Sequence, residues 1–147
     1  MSEDTITIDI EDEQTSESTT TSDDSGGVLF LLARLLFAVP LGYTAWTHWQ
    51  DMEGTIGYAE AMGVPNAEKL VPFSVGMLSF GSLGIALWRL PTLAAGAVAA
   101  FLAGVTPQMH RFWEADEDKK QAERTQFVKN VSLLGGAIAF LIKARQD

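Results

Sequence analysis

The apolar residues of this chain do not form amphipathic stripes; they gather into four blocks separated by polar stretches. The first, Val28 to Trp49, reads VLFLLARLLFAVPLGYTAWTHW and holds one full charge, Arg34. As a helix rising about 1.5 Å per residue it is about 33 Å long, enough to cross a hydrocarbon core of about 30 Å. The second block, Leu70 to Trp88, has no charge, and the third, Pro91 to His110, has only its terminal histidine. The fourth, Phe127 to Ile142, is the shortest at about 24 Å. It crosses if Lys129 snorkels and Gln126 opens the helix. A soluble helix needs a polar face, and the second and third blocks have none. The pattern therefore predicts an all-α fold, a bundle of four transmembrane helices at about 28–49, 70–88, 91–110 and 127–142.

Proline fits this assignment. Pro72 and Pro91 fall in first turns, where a missing N–H costs little. Pro40 lies inside the first helix and predicts a kink there. In the third block Gly96, Ala100 and Gly104 recur every four residues and form a small-residue ridge. Such a ridge lets another helix approach closely. The connections are uneven. Residues 50–69 are polar, and Tyr58, Ala59, Ala61, Met62 and Val64 within them suggest a short interfacial helix ended by Gly63-Val64-Pro65. Arg89 and Leu90 make a very short turn. Arg111 to Gln126 reads as a highly charged loop. Four crossings put both termini on one side of the membrane and both long connections on the other.

Charge changes the picture mainly at the N-terminus. The net charge is −9, and all of it falls within residues 1–27, which contain no Lys or Arg. After Ile6, Ile8 and Ile10 no aliphatic side chain occurs until Val28, so this acidic segment cannot bury enough apolar area to offset its ordering entropy. A disordered acidic tail is expected. It lacks the positive start of a signal peptide. The remaining 120 residues are neutral overall and offer no basic stripe, which excludes a nucleic-acid partner. No cysteine is present, so disulfides, thiol redox chemistry and cysteine-ligated clusters are excluded within the chain.

Few residues remain to carry chemistry. His48 and His110 close the first and third helices and so reach the same membrane face. Two readings stand: ligands or proton relays for a bound group, or interfacial residues in an aromatic belt with Trp46, Trp49, Phe112 and Trp113. Two histidines without a second pair specify no metal. Lys129 and Asn130 open the fourth helix at this same face and complete a candidate quinone or ligand pocket, with Asp51, Glu60 or Glu114 as charge partners for Lys129. The bland alternative is a snorkelling Lys and an Asn bonding two helices. Arg34, an intramembrane charge near the opposite face, either snorkels to lipid phosphate or turns inward. No Asp or Glu lies in the apolar blocks, and no phosphate loop or dinucleotide glycine pattern is present.

These residues resemble a known family. The likeness runs through Ala33-Arg34-Leu35-Leu36-Phe37 with Gly42, then Tyr58-Ala59-Glu60-Ala61-Met62-Gly63-Val64-Pro65. It continues through Gly76, Gly81 and Gly84, His110-Arg111-Phe112-Trp113, and Lys129-Asn130-Val131-Ser132-Leu133-Leu134-Gly135-Gly136. Together they resemble the DoxX family of small four-helix membrane proteins, over about residues 30–142. The resemblance implies a helical bundle in the cytoplasmic membrane, Gly135 and Gly136 as further helix-packing positions, and a link to quinone-dependent redox metabolism. The sequence departs from the family pattern in two places. Family members often carry a Lys shortly after the first-helix glycine, where this chain has Tyr43 to His48. Many carry a Glu in the second helix, where Ser79 stands here.

The expected function is accordingly that of a membrane subunit of a redox complex, with quinone as the ligand and a soluble or membrane redox partner. Catalysis by this chain alone is not expected. Two alternatives stand beside it: a non-catalytic scaffold that docks a soluble partner, or a small-solute or lipid carrier that works as a homo-oligomer. Counting basic residues favours the long connections as cytoplasmic; the resemblance favours cytoplasmic termini in the cell membrane, and that orientation is adopted.

Overall fold

The computed structural model describes the backbone of residues 3–147 and the side chains of residues 25–147. The acidic tail expected to be disordered, residues 1–27, lies up to residue 24 outside the fully described part. Five helices follow one another: α1 (Glu3–Gln50), α2 (Met52–Ala61), α3 (Ala67–Leu87), α4 (Pro91–Met109) and α5 (Glu117–Gln146). The described residues contain no strand. Four apolar spans long enough to cross a membrane lie at Ser25–Gln50 and in α3, α4 and α5.

The chain divides after Arg34 into two compact units. In the first, Val28, Leu29, Leu31 and Leu32 are exposed, and the Arg34 guanidinium carbon lies 5.6 Å from the centre of the Phe30 ring. The second unit, Leu35–Asp147, holds the helix bundle. Its core is narrow: Leu78 and Ile85 of α3, Ala94, Ala95, Val98 and Leu102 of α4, and Ala137 of α5 are fully or almost fully buried. Around it, large apolar side chains face outward, among them Leu36, Phe73, Leu83 and Leu93. A soluble protein rarely exposes such continuous apolar surface. Lipid accommodates it, and the protein is a multi-pass integral membrane protein.

Glycine sets how closely the helices approach. A Cβ at Gly81 would lie 2.5 Å from Val98 Cγ2 and 2.8 Å from the Ala94 carbonyl oxygen, and one at Gly84 would lie 2.5 Å from Ala94 Cβ. These two glycines bring the α3 and α4 backbones together. Gly136 of α5 does the same against the Phe37 ring of α1, 2.9 Å from the position of its missing Cβ. Phe37 in turn packs on Phe140 with ring centres 5.1 Å apart. A Cβ added at the expected packing positions Gly96, Gly104 or Gly135 would meet no described atom within 4 Å. Among the described residues the closest helix approaches are therefore at Gly81, Gly84 and Gly136, and a Cβ at Gly42 of α1 would lie 3.3 Å from Ser82 Oγ of α3. The Gly96–Ala100–Gly104 ridge leaves open space instead, because the buried face of α4 is that of Ala94, Ala95, Val98 and Leu102.

The α3–α4 turn is tight enough to force two ordinary residues, Trp88 and Leu90, into left-handed backbone at φ 54° and 50°. Trp88 N–H and Arg89 N–H close α3 by donating to Ile85 and Gly84 carbonyls, and Pro91 opens α4. Gly63 supplies the positive φ of 81° after α2. The main difference from the sequence reading is α5. It starts at Glu117, ten positions before the expected Phe127, so most of the charged connection is helical. The reason is local: EDKKQAERTQ contains no Gly or Pro, is rich in strong helix formers, carries acids in its first turn, and adds a Glu117–Lys120 pair.

Candidate functional site

One cavity in the second unit gathers the polar residues singled out by the sequence. It has a volume of about 680 Å³ and lies between α1, α4 and α5 beneath α2. His48, His110, Lys129 and Asn130 all line it, with Asp51, Thr55, Tyr58 and Gln126 as further polar neighbours. The rest of the wall is apolar, including Phe37, Leu78, Phe101, Leu102 and Met109. Pro40 lines it too, and has no N–H to give the Leu36 carbonyl one turn earlier.

Hydrogen bonds fix the state of both imidazoles. His48 Nδ1 lies 3.2 Å from Thr55 Oγ1. That hydroxyl has one proton, and it goes to the Asp51 carbonyl at 2.8 Å. Thr55 Oγ1 therefore accepts from His48 Nδ1–H, and in the neutral ring the lone pair sits on Nε2. His110 Nδ1 lies 2.9 Å from Glu123 Oε2. An ionised carboxylate only accepts, so Nδ1 again carries the proton. In its neutral form each ring thus keeps Nε2 for a ligand. The local scaffold supports this. Asp51 caps α2 by accepting from Gly54 N–H at 3.1 Å, which positions Thr55 one turn in, and the early start of α5 brings Glu123 level with His110.

Lys129 differs from expectation. Its ammonium donates to Gln126 Oε1. None of Asp51, Glu60 and Glu114 pairs with it, because Asp51 serves as the α2 cap and Glu114 pairs with Arg111 at 3.3 Å. Among the described residues no carboxylate lies within 4 Å of Lys129. Arg34 lies in the first unit with Phe30, as described above. Ser79, where the resemblance expects Glu, accepts from Trp49 Nε1–H at 2.9 Å and donates to the Val75 carbonyl at 2.8 Å. It ties α1 to α3 rather than supplying charge. Phe112, Trp113 and Phe127 stack edge-on with centres 5.2 to 5.9 Å apart at the His110 end, so the aromatic-belt feature and the cavity coexist. Among the described residues no three His, Cys, Asp or Glu side chains come together as a metal would require.

Two functional partners escaped the sequence reading, Thr55 and Glu123. Glu123, Phe127 and Asn130 fall at i, i+4 and i+7, one helical face. That signal becomes readable only when α5 is extended back to Glu117.

An integral membrane bundle of four apolar spans, with a polar cavity toward one end, defines the class. The DoxX family profile matches residues 29–111, more than half of the chain, and the protein belongs to the DoxX family. The matched stretch covers His48 and His110 and ends before α5. No curated protein and no solved structure matches the chain.

Proposed function

We propose that the protein is a membrane component of quinone-linked redox metabolism, which binds the quinone ring in the polar cavity and works with a redox partner rather than alone. The observation that carries this reading is the convergence on one cavity of two imidazoles whose Nδ1 atoms are engaged, an ammonium bonded to Gln126 with no carboxylate within 4 Å among the described residues, and a carboxamide. The volume lies within the range of about 300–1,000 Å³ usual for small-molecule sites, and the wall has the usual composition, apolar with a few polar groups. A quinone presents two carbonyl acceptors when oxidised and two hydroxyl donors when reduced. Lys129 and the Asn130 amide donate to the former; the imidazole Nε2 atoms and the Asn130 oxygen accept from the latter. His110 also has a route for its proton, because Glu123 lines a surface cleft with Arg111, Glu114 and Lys119. A proton taken at Nε2 is matched by one passed from Nδ1 to Glu123 and on to water.

The reading places the protein in the cell membrane with both termini cytoplasmic. The scaffold alternative draws support from a specific feature, the charged first turns of α5, which extend the helix beyond its apolar segment and offer a surface to a soluble partner. Purification from the native membrane, followed by organic extraction and an optical redox difference spectrum, separates the two. Stoichiometric quinone supports the redox subunit. A cofactor-free protein that binds no added quinone removes that reading and leaves the scaffold.

A further inference from the structure

A second cavity adjoins the first. It is a groove of about 430 Å³ between α3 and α4, roofed by Ala59 of α2 and by Val64 and Pro65. The two share His48, Thr55, Phe101, Val105 and Met109 as walls, so they lie side by side with His48 bordering both. Their chemistry differs. The first holds the ammonium, the carboxamide and both histidines. Away from His48 the groove is lined mainly by Val71, Phe73, Val75, Met77 and the bare ridge of Ala100 and Gly104. It opens beside Leu70 and Phe73, which are exposed on the lipid-facing side of α3.

We infer that this groove holds the prenyl tail of the same molecule whose quinone ring sits in the polar cavity. The inference rests on the function proposed above and adds the tail, its route and its exit to the bilayer. Five shared walls bring the two cavities together at His48, and one molecule is the natural occupant of both. A single groove takes a single chain, which fits a one-tailed amphiphile better than a two-tailed phospholipid. The open space above Gly104, where an added Cβ meets no atom within 4 Å, explains why the small-residue ridge brings no helix of this chain close: its missing side chains make room for hydrocarbon.

The test uses the full-length protein in lipid nanodiscs and a naphthoquinone whose prenyl tail carries a photoreactive diazirine. Peptide mapping should find label on α3 and α4 residues that line the groove, and an excess of menadione, the bare ring, should abolish it by occupying the head site. Gly104→Leu puts a side chain into the groove, and its Cβ has no described atom within 4 Å. It should lower the labelling about tenfold, equivalent to about 1.4 kcal/mol, while menadione affinity stays unchanged. Ala100→Leu provides a second blocker if the first variant expresses poorly. Label that menadione competes away but that maps to α1 or α5 overturns the tail route and leaves the head site standing. Groove label that menadione does not displace shows an independent lipid slot and also overturns the inference. Failure of menadione itself to bind removes the function on which it rests.

Discussion

Gly81→Ala isolates the packing that holds the bundle together. Its new Cβ would sit 2.5 Å from Val98 Cγ2 and 2.8 Å from the Ala94 carbonyl oxygen. A side chain can turn away, but the carbonyl belongs to the α4 backbone, so α3 and α4 must separate. Val98 and Ala94 are fully buried, and the separation would spread through the α3–α4 interface. Overpacking of this kind costs about 1–3 kcal/mol, against a helix-propensity gain of about 1 kcal/mol for replacing a mid-helix glycine by alanine. The net expectation is a loss of up to about 2 kcal/mol, and of about 1–3 kcal/mol relative to Gly96→Ala. Gly96→Ala is the control, since its Cβ meets nothing within 4 Å. It should keep the propensity gain and be neutral or slightly stabilising. Reversible unfolding in mixed micelles, followed by tryptophan fluorescence, measures both. If Gly81→Ala proves as stable as Gly96→Ala, the close α3–α4 approach is not what holds the hairpin.

Other substitutions test other levels of the account. Leu90→Gly should stabilise by about 1 kcal/mol, because Leu90 is exposed and held at φ 50° where a Cβ is unfavourable; unfolding midpoints check it, and a destabilised variant would show that its side chain matters more than its backbone. Thr106 Oγ1 is buried with no hydrogen-bond partner among the described residues, so Thr106→Val should be neutral or stabilising by about 1 kcal/mol; a clear loss in the same assay would mean that the hydroxyl is engaged. Nitrogen NMR of the neutral imidazoles should show His48 and His110 protonated at Nδ1 and bare at Nε2. Thr55→Val should mix the His48 tautomers alone, and an Nε2–H tautomer in the unmutated protein contradicts the hydrogen-bond assignment.

The spans were legible because lipid allows no other use for long uncharged blocks, and α3 and α4 end within a few residues of the expected places. The start of α5 is less legible because charge density resembles a loop, whereas EDKKQAERTQ carries no helix breaker and is helical from Glu117. The packing glycines were legible as a class but not individually. Spacing reveals a ridge at Gly96, Ala100 and Gly104, yet which ridge meets a neighbour depends on how α4 is rotated, and that is decided by Val98 and Leu102 burying elsewhere. The candidate site was legible where polarity is rare, at His48, His110, Lys129 and Asn130. Their partners were not, since Thr55 and Glu123 are ordinary residues in polar segments and matter only because α2 and α5 carry them to the rings.

The most direct test of the head site is equilibrium binding of menadione to the purified protein in nanodiscs, read by quenching of its tryptophans. The account predicts saturable binding, weakened about tenfold or more by Asn130→Leu combined with His48→Phe, since each removes a polar contact worth about 1 kcal/mol. Absence of saturable binding, or binding indifferent to both substitutions, contradicts it.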